Sequence, residues 1–285
     1  MSYAFRAVAD LAVPLRRNPS LRFGFVLLGA LVLFAIVGSF ALADPVRQDL
    51  GNTYAPPSLT HPFGTDQLGR DVFSWVASGI VTGLKVSCGV VLFSALLGTV
   101  IGLTAGYFGG FLDSLLMRFV DLQLAIPPLL LFLAASAVLT TDIVSLIVLL
   151  SVVGWVPYAR IVRTKILTER KRAYVAAARL AGASRGRILF LHLLPSTATQ
   201  VFVLASLQAG FALLWESGLS FLGLGLQPPT ISLGFQIAEG RSLLDQAWWI
   251  VTFPGLAIVL LILAFNSLGD GLRDVFNLDV DVIGR

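Results

Sequence analysis

Three polar side chains, two inside long apolar runs and one at the end of such a run, are the residues best placed for chemistry at depth in this 285-residue chain. They are Glu216, Gln208 and Asn266. A polar group in a membrane either faces a solute pathway or donates and accepts hydrogen bonds between helices. We interpret the three as possible pathway or gate residues. For the two amides the alternative is interhelical hydrogen bonding.

The sequence lacks the motifs of nucleotide hydrolysis, metalloprotease chemistry and serine hydrolysis. No phosphate-binding Gly-x-x-x-x-Gly-Lys, no His-Glu-x-x-His and no Ser, His and Asp arrangement is present. Cys88 is the single cysteine, so no disulfide framework or cysteine-rich metal site is available. We therefore predict no catalytic residue, no metal ligand and no cofactor in this chain. The scarcity of carboxylates inside apolar runs also disfavours a proton-coupled transporter.

Composition places the chain in a membrane. Apolar residues make up 56%, charged residues 13%, and the mean hydropathy is +0.87. Runs of the length needed to cross a bilayer predict an all-α polytopic protein with six transmembrane helices. Those runs are 23–43, 86–108, 122–139, 143–159, 197–215 and 247–268. The net charge of +4 lies beside these runs, which indicates contact with lipid and not with nucleic acid.

The distribution of Lys and Arg sets the predicted orientation. Six spans starting inside leave sixteen positive residues in the cytoplasm and three or four outside. Both termini are then cytoplasmic. The predicted organisation is a cytoplasmic segment 1–22, a first helix 23–43 with an external segment 44–82, and a five-helix core 83–285.

Local signals predict several finer features. Thr65 or Asp66 is the expected N-cap of a helix lying at the outer interface. Gly98, Gly102 and Gly106, spaced by four, predict close helix packing. A loop is expected at 109–121, and a short polar tail at 269–285.

The stretch 160–196 is the most distinctive segment. It holds nine of the chain's twenty Lys and Arg residues. Within it, the Ala-rich run 174–181 predicts a short helix closed at Gly182, a residue that tolerates positive φ. Small side chains let a partner approach closely, so we interpret the stretch as a docking element for a soluble protein.

Several motifs carry a family resemblance. They are HPFGTDQLGRDVFS (61–74), GYFGGFLDSLLMRFVD (106–121), YVAAARLAGAS (174–184), HLLPS (192–196), ESGLSFLGLGLQPPT (216–230), AEGRS (238–242), AWW (247–249) and FPGLAIVLLILAFNSLGDGLRD (253–274). With these, the chain resembles the permease subunits of bacterial ABC importers of the dipeptide, oligopeptide and nickel group. Within that group it looks like the second of the two permeases.

The resemblance implies a fold, a location and partners. It implies the type I ABC importer permease fold in the bacterial inner membrane. The implied partners are a second homologous permease, two cytoplasmic ATPase domains that bind ATP and Mg, and an extracytoplasmic substrate-binding protein. The chain itself would be non-catalytic.

The resemblance also assigns 160–196 as the loop that couples to the ATPase. The coupling residues it indicates are Tyr174, Ala176, Ala177, Ala178, Arg179, Gly182 and Ala183. Ala176 stands where the family usually has Glu, and Ala177 or Ala178 is expected to point into the ATPase. Peptides are the expected substrate. Nickel, haem or another small solute is the alternative, and a membrane scaffold or sensor subunit is a further one.

Overall fold

The described part of the chain is helical. The computed structural model describes residues 18–41, 45–136 and 142–283, with side chains for 18–38, 45–136 and 142–276. Most of the predicted cytoplasmic segment 1–22 lies outside these residues. The helices of eight or more residues are α1 (Pro19–Ala41), α2 (Val72–Phe108), α3 (Gly110–Ala125), α4 (Pro128–Ser136), α5 (Ile143–Glu169), α6 (Ala173–Leu180), α7 (Leu194–Phe221), α8 (Leu233–Gly240) and α9 (Trp249–Ile283). Two shorter helical segments, Arg185–Arg187 and Ile188–Leu193, lead directly into α7.

Five of these helical segments are long and apolar enough to cross a membrane. They are Pro19–Gly38, Val72–Phe108, Ile143–Glu169, Arg185–Phe221 and Trp249–Phe276. A sixth span arises if α3 and α4, which meet at a bend of 82°, are counted as one. The prediction of an all-α, multi-span protein is therefore confirmed for the described residues.

The prediction of a separate helix at the outer interface is wrong. Residues 72–108 form one helix of 37 residues, about 55 Å long and so well beyond the hydrocarbon thickness. Its N-cap is Asp71, whose carboxylate accepts a hydrogen bond from the Ser74 amide, and not Thr65 or Asp66. The predicted division at 82/83 consequently falls inside a continuous helix.

The predicted loop at 109–121 is also wrong. Gly109 and Gly110 make the turn with φ of +67° and +57°, and α3 follows at once because the next residues are good helix formers. Pro127 cannot donate the amide hydrogen bond that would continue α3. The chain therefore breaks at Ile126 and restarts as α4.

Two further helices extend beyond their predicted ends. Helix α5 continues past Ala159 to Glu169, because Arg160 and Arg163 are paired with Asp121 and Asp113 of α3. Helix α9 continues through the predicted polar tail to Ile283. Its Gly271 packs against Leu21 of α1, where a Cβ would lie 2.6 Å from the Leu21 amide nitrogen.

The glycine-rich face of α2 packs closely on α5, as the spacing predicted. A Cβ on Gly98 would lie 2.3 Å from the Trp155 carbonyl, and one on Gly102 would lie 2.6 Å from the Ala159 carbonyl. Gly106 meets Ile166 in the same way. Helix α2 is thus the central element. One apolar cluster at its start joins α1, α7, α8 and α9, and another at its end joins α5 and α6.

Candidate docking surface and pathway residues

Helix α6 begins after Arg172 and ends as the sequence predicted. Gly182 has φ of +79°. Its amide donates to the Arg179 carbonyl at 3.0 Å, and the Ala183 amide donates to the Ala178 carbonyl at 3.0 Å. These two bonds are the Schellman arrangement, which satisfies the last carbonyls of a helix. The predicted closure at Gly182 is confirmed.

One face of α6 packs against the apolar core of the protein. Val175 is fully buried, and its apolar cluster comprises Leu103, Val162, Ile166, Ile188 and Leu193. Ala178 and Ala183 pack against the same cluster from its edge. The structure thus turns Ala178 toward the protein itself, so that of the two residues expected to point into the ATPase, Ala177 is the exposed one.

The opposite face of α6 is an exposed apolar stripe. It consists of Ala173, Ala176, Ala177 and Leu180, a spacing of three, one and three residues that puts all four on one side of a helix. The Leu180 side chain is 90% exposed. An exposed apolar stripe beside charged residues is typical of a contact surface for another protein.

Glu169 anchors α6, and the sequence analysis missed it. It is only 3% exposed. Its carboxylate accepts a hydrogen bond from the Tyr174 hydroxyl at 2.9 Å and lies 3.1 Å from Lys165 Nζ and 3.3 Å from Arg172 Nε. Burial, and then the bond to Glu169, raise the pKa of Tyr174 to about 12. Tyr174 therefore stays a neutral donor to Glu169.

Most of the basic residues around α6 tie helices together. Arg170 donates to the Gly106 and Tyr107 carbonyls at 2.9 and 3.1 Å, and so caps the end of α2. Arg163 donates to the Asp113 carboxylate from Nε and Nη2, at 2.5 and 2.7 Å. The guanidinium of Arg179 lies 5.7 Å from the centre of the Tyr107 ring. Several basic residues of 160–196 that could have contacted a partner protein are thus bound to groups of this chain.

A second polar network links the segment before α2 to α8. Asp66 is buried and binds Arg70, and Arg70 Nη2 lies 3.0 Å from Glu239 Oε2. Gln67 donates to the same Glu239 carboxylate at 3.1 Å. The Arg70 guanidinium also stacks 3.6 Å above the Trp75 ring. Burial raises the pKa of Glu239, and Arg70 partly offsets this.

A comparison with known protein families shows to which family the chain belongs. Residues 98–282 match the family described as "Binding-protein-dependent transport system inner membrane component". The chain belongs to this family.

Relatives extend the match across most of the chain. A protein of Brucella suis biovar 1 (strain 1330) is 41% identical over 271 residues, which cover 95% of this chain and 91% of that protein. The "Dipeptide transport system permease protein DppC" of Alkalihalophilus pseudofirmus is 35% identical over 92% of this chain and 87% of its own length. The "Di/tripeptide transport system permease protein DppC" of Pseudomonas aeruginosa is 38% identical over 82% and 79%.

The Glu216 carboxylate of this permease is surrounded by serine hydroxyl groups. It is 1% exposed and accepts hydrogen bonds from Ser217, Ser220 and Ser232, the last at 2.7 Å. Ser232 is also the N-cap of α8. The motif ESGLS thus joins the end of α7 to the start of α8. Within the subunit, the Glu216 carboxylate faces these serines and not an open passage.

Gln208 and Asn266 are placed differently from Glu216. Gln208 is half-buried and donates from Nε2 to the Gly154 carbonyl at 3.3 Å, so it bridges α7 and α5 beside a cavity. Asn266 is half-buried on α9, with its Oδ1 3.4 Å from where a Cβ on Gly210 would lie. The described residues contain no group of three or more His, Cys, Asp or Glu side chains suited to a metal ion.

Proposed function

We propose that this permease forms half of the translocation pathway of an ATP-driven peptide importer. The peptide substrate is supported by the names of the relatives from Alkalihalophilus pseudofirmus and Pseudomonas aeruginosa. The uncharged walls beside Gln208 also suit solutes whose own charges vary. Nickel, haem or another small solute would require a different binding protein and is the alternative to test.

The observation that carries the proposal is the apolar stripe of α6. Ala173, Ala176, Ala177 and Leu180 are exposed, and Val175 and Glu169 hold the helix from behind. A rigid helix with small outward side chains can enter a groove and transmit force without loss of its own structure. We assign the stripe as the surface that contacts a cytoplasmic ATPase subunit, within the coupling loop 160–196.

The proposed assembly contains a second homologous permease, two cytoplasmic ATPase domains and an extracytoplasmic binding protein. Both termini and α6 would lie on the cytoplasmic side of the bacterial inner membrane. ATP and Mg would be bound by the ATPase subunits. The chain itself would contribute no catalytic residue, because its sequence contains no phosphate-binding loop.

Reconstitution of the whole transporter tests the proposal. The purified chain should hydrolyse no ATP, whereas the complex in proteoliposomes should take up a labelled dipeptide when ATP and loaded binding protein are supplied. Uptake by a complex carrying Leu180→Asp should fall strongly. A matched control is Gly186→Asp, which adds the same charge at another exposed position of the loop away from α6, where no atom lies within 4 Å of the new Cβ. Dipeptide uptake without ATP would contradict the proposal.

A further inference from the structure

A cavity of about 210 Å³ lies between α2, α4, α5 and α7. One face of α7 supplies Gln208, Phe211, Ala212 and Trp215, spaced as residues on a single side of a helix. Val90 of α2 and Pro157 of α5 lie among the lining residues. Neither the stripe of α6 nor the polar network around Arg70 and Glu239 uses this cavity.

The walls of the cavity are aromatic and aliphatic. Phe132 of α4 is fully buried and meets Trp215 edge to face, with ring centres 5.0 Å apart. Phe132 and Trp215 both line the cavity. Apolar cavities of about 150 Å³ accommodate a benzene-sized molecule. A space of 210 Å³ therefore has room for a branched aliphatic or phenyl group.

Two carbonyl oxygens at the cavity are left as acceptors, one on Gln208 and one on Val153. Gln208 uses Nε2 to donate to Gly154, while its Oε1 accepts no hydrogen bond from any described residue. Pro157 has no N–H, so the Val153 carbonyl four residues earlier cannot accept its usual helical bond. A lipid acyl chain brings no donor to these oxygens. A peptide brings backbone N–H groups and an α-ammonium group.

We propose that this cavity is a subsite for the apolar side chain of a peptide in transit, with Gln208 Oε1 accepting an N–H of its backbone. Mostly apolar walls with one or two fixed polar groups are the usual composition of a small-ligand site. The inference rests on the proposed function, since it names the part of the peptide that this half of the pathway recognises.

Uptake of paired dipeptides tests the subsite. The complete transporter is reconstituted with saturating binding protein, and uptake of Ala-Leu and Ala-Ala is measured for each variant as a fraction of wild type. Ala212→Leu adds bulk to the cavity wall, so we expect Ala-Leu uptake to fall about tenfold more than Ala-Ala uptake, the effect of a misfitting methylene-sized group in an apolar pocket. Leu214→Phe adds bulk on the exposed side of α7 and should not change the ratio.

Photo-crosslinking provides a second measurement that does not depend on the folding of Ala212→Leu. A dipeptide containing p-benzoylphenylalanine is trapped in the wild-type complex during turnover, and adducts are mapped by mass spectrometry. We expect adducts on Phe211 or Trp215, competed by Ala-Leu and not by a fatty acid. Adducts formed only by a benzophenone fatty acid would assign the cavity to an acyl chain and overturn the subsite.

The outcomes separate the two proposals. Equal losses of Ala-Leu and Ala-Ala uptake in Ala212→Leu, with dipeptide uptake normal in wild type, would overturn the subsite alone. A wild-type complex that takes up neither dipeptide would overturn the proposed function and the subsite with it.

Discussion

At the scale of single residues, α6 separates the positions that support its fold from those that face outward. Ala177 lies in the exposed stripe, while Ala178, one residue later, packs against the Val175 cluster. We expect Ala177→Glu to leave the amount of folded protein unchanged but to reduce ATP-driven uptake, because a charge enters the proposed contact. Ala178→Glu should instead lower the yield of folded protein, since it places a carboxylate against apolar side chains. Size-exclusion profiles and uptake measured together distinguish the two, and identical behaviour would refute the assignment of faces.

Gly182 permits a second residue-scale prediction. Its φ of +79° is a backbone conformation that costs a β-branched residue roughly 1–2 kcal/mol. No atom lies within 4 Å of where its Cβ would stand, so the penalty comes from the backbone and not from crowding. Gly182→Val should reduce uptake while membrane insertion stays normal. Gly186→Val, equally uncrowded but without positive φ, is the control and should retain uptake.

At the scale of helices, the packing of α2 on α5 depends on its glycines. A Cβ at Gly102 would meet the Ala159 carbonyl at 2.6 Å, and a backbone atom cannot move aside as a flexible side chain can. Gly102→Val should therefore separate the two helices and abolish recovery of folded protein. Gly29→Val of α1 adds the same side chain where no atom lies within 4 Å of its Cβ. Thermal stability in detergent compares them, and equal stabilities would show that α2 and α5 do not require close approach.

The link between the segment before α2 and α8 should respond to pH. Arg70 faces the carboxylates of Asp66 and Glu239, with Gln67 beside them. Arg70→Leu leaves two partly or fully buried carboxylates without a countercharge, which is strongly destabilising. The pKa of Glu239 is already raised by burial, so its protonation favours the folded state as pH falls toward and below that raised pKa. The variant should lose most stability at neutral pH and regain part of it as the pH falls toward the raised pKa of Glu239.

Arg47→Leu is the control for this measurement, because Arg47 is exposed on the same segment. Its unfolding temperature should follow that of the wild type at every pH. A uniform loss of stability in Arg70→Leu, independent of pH, would show that the buried carboxylates left without a countercharge are not what destabilises the variant.

The apolar runs of the sequence predicted most of the long helices but not where they end. Charges at Arg160 and Arg163 suggested that α5 stops at Ala159, yet each has a carboxylate partner on α3 that only the folded chain supplies. Gly182 was predictable because positive φ is a local property. The role of Glu169 was not predictable, because it depends on Lys165, Arg172 and Tyr174 contacting the buried carboxylate in the folded chain.

At the scale of the whole molecule, the apolar clusters divide the permease into two ends joined by α2. The cluster at the start of α2 includes residues of α1, α7, α8 and α9, and the cluster at its end holds α6. Helix α5 lies along α2 and leads directly to Glu169, the anchor of α6. A change in how α5 lies on α2 would therefore reach α6 without passing through a flexible linker. The sequence alone could not predict this connection, because it depends on which helices become neighbours.

At the same scale, the charges of the chain predict its orientation in the membrane. In the predicted topology, sixteen Lys and Arg residues belong to the segments on the side of α6 and three or four to those on the side of α8, and such a bias predicts that the richer side is cytoplasmic. Reporter fusions that are active only outside the cytoplasm should be active at Asn52 and Ser232 and inactive at Lys171. Fusions of a reporter active only in the cytoplasm, made at the same three sites, are the control and should give the inverse pattern. Activity of the external reporter at Lys171 would place α6 outside, away from any ATPase, and would refute both the orientation and the proposed coupling.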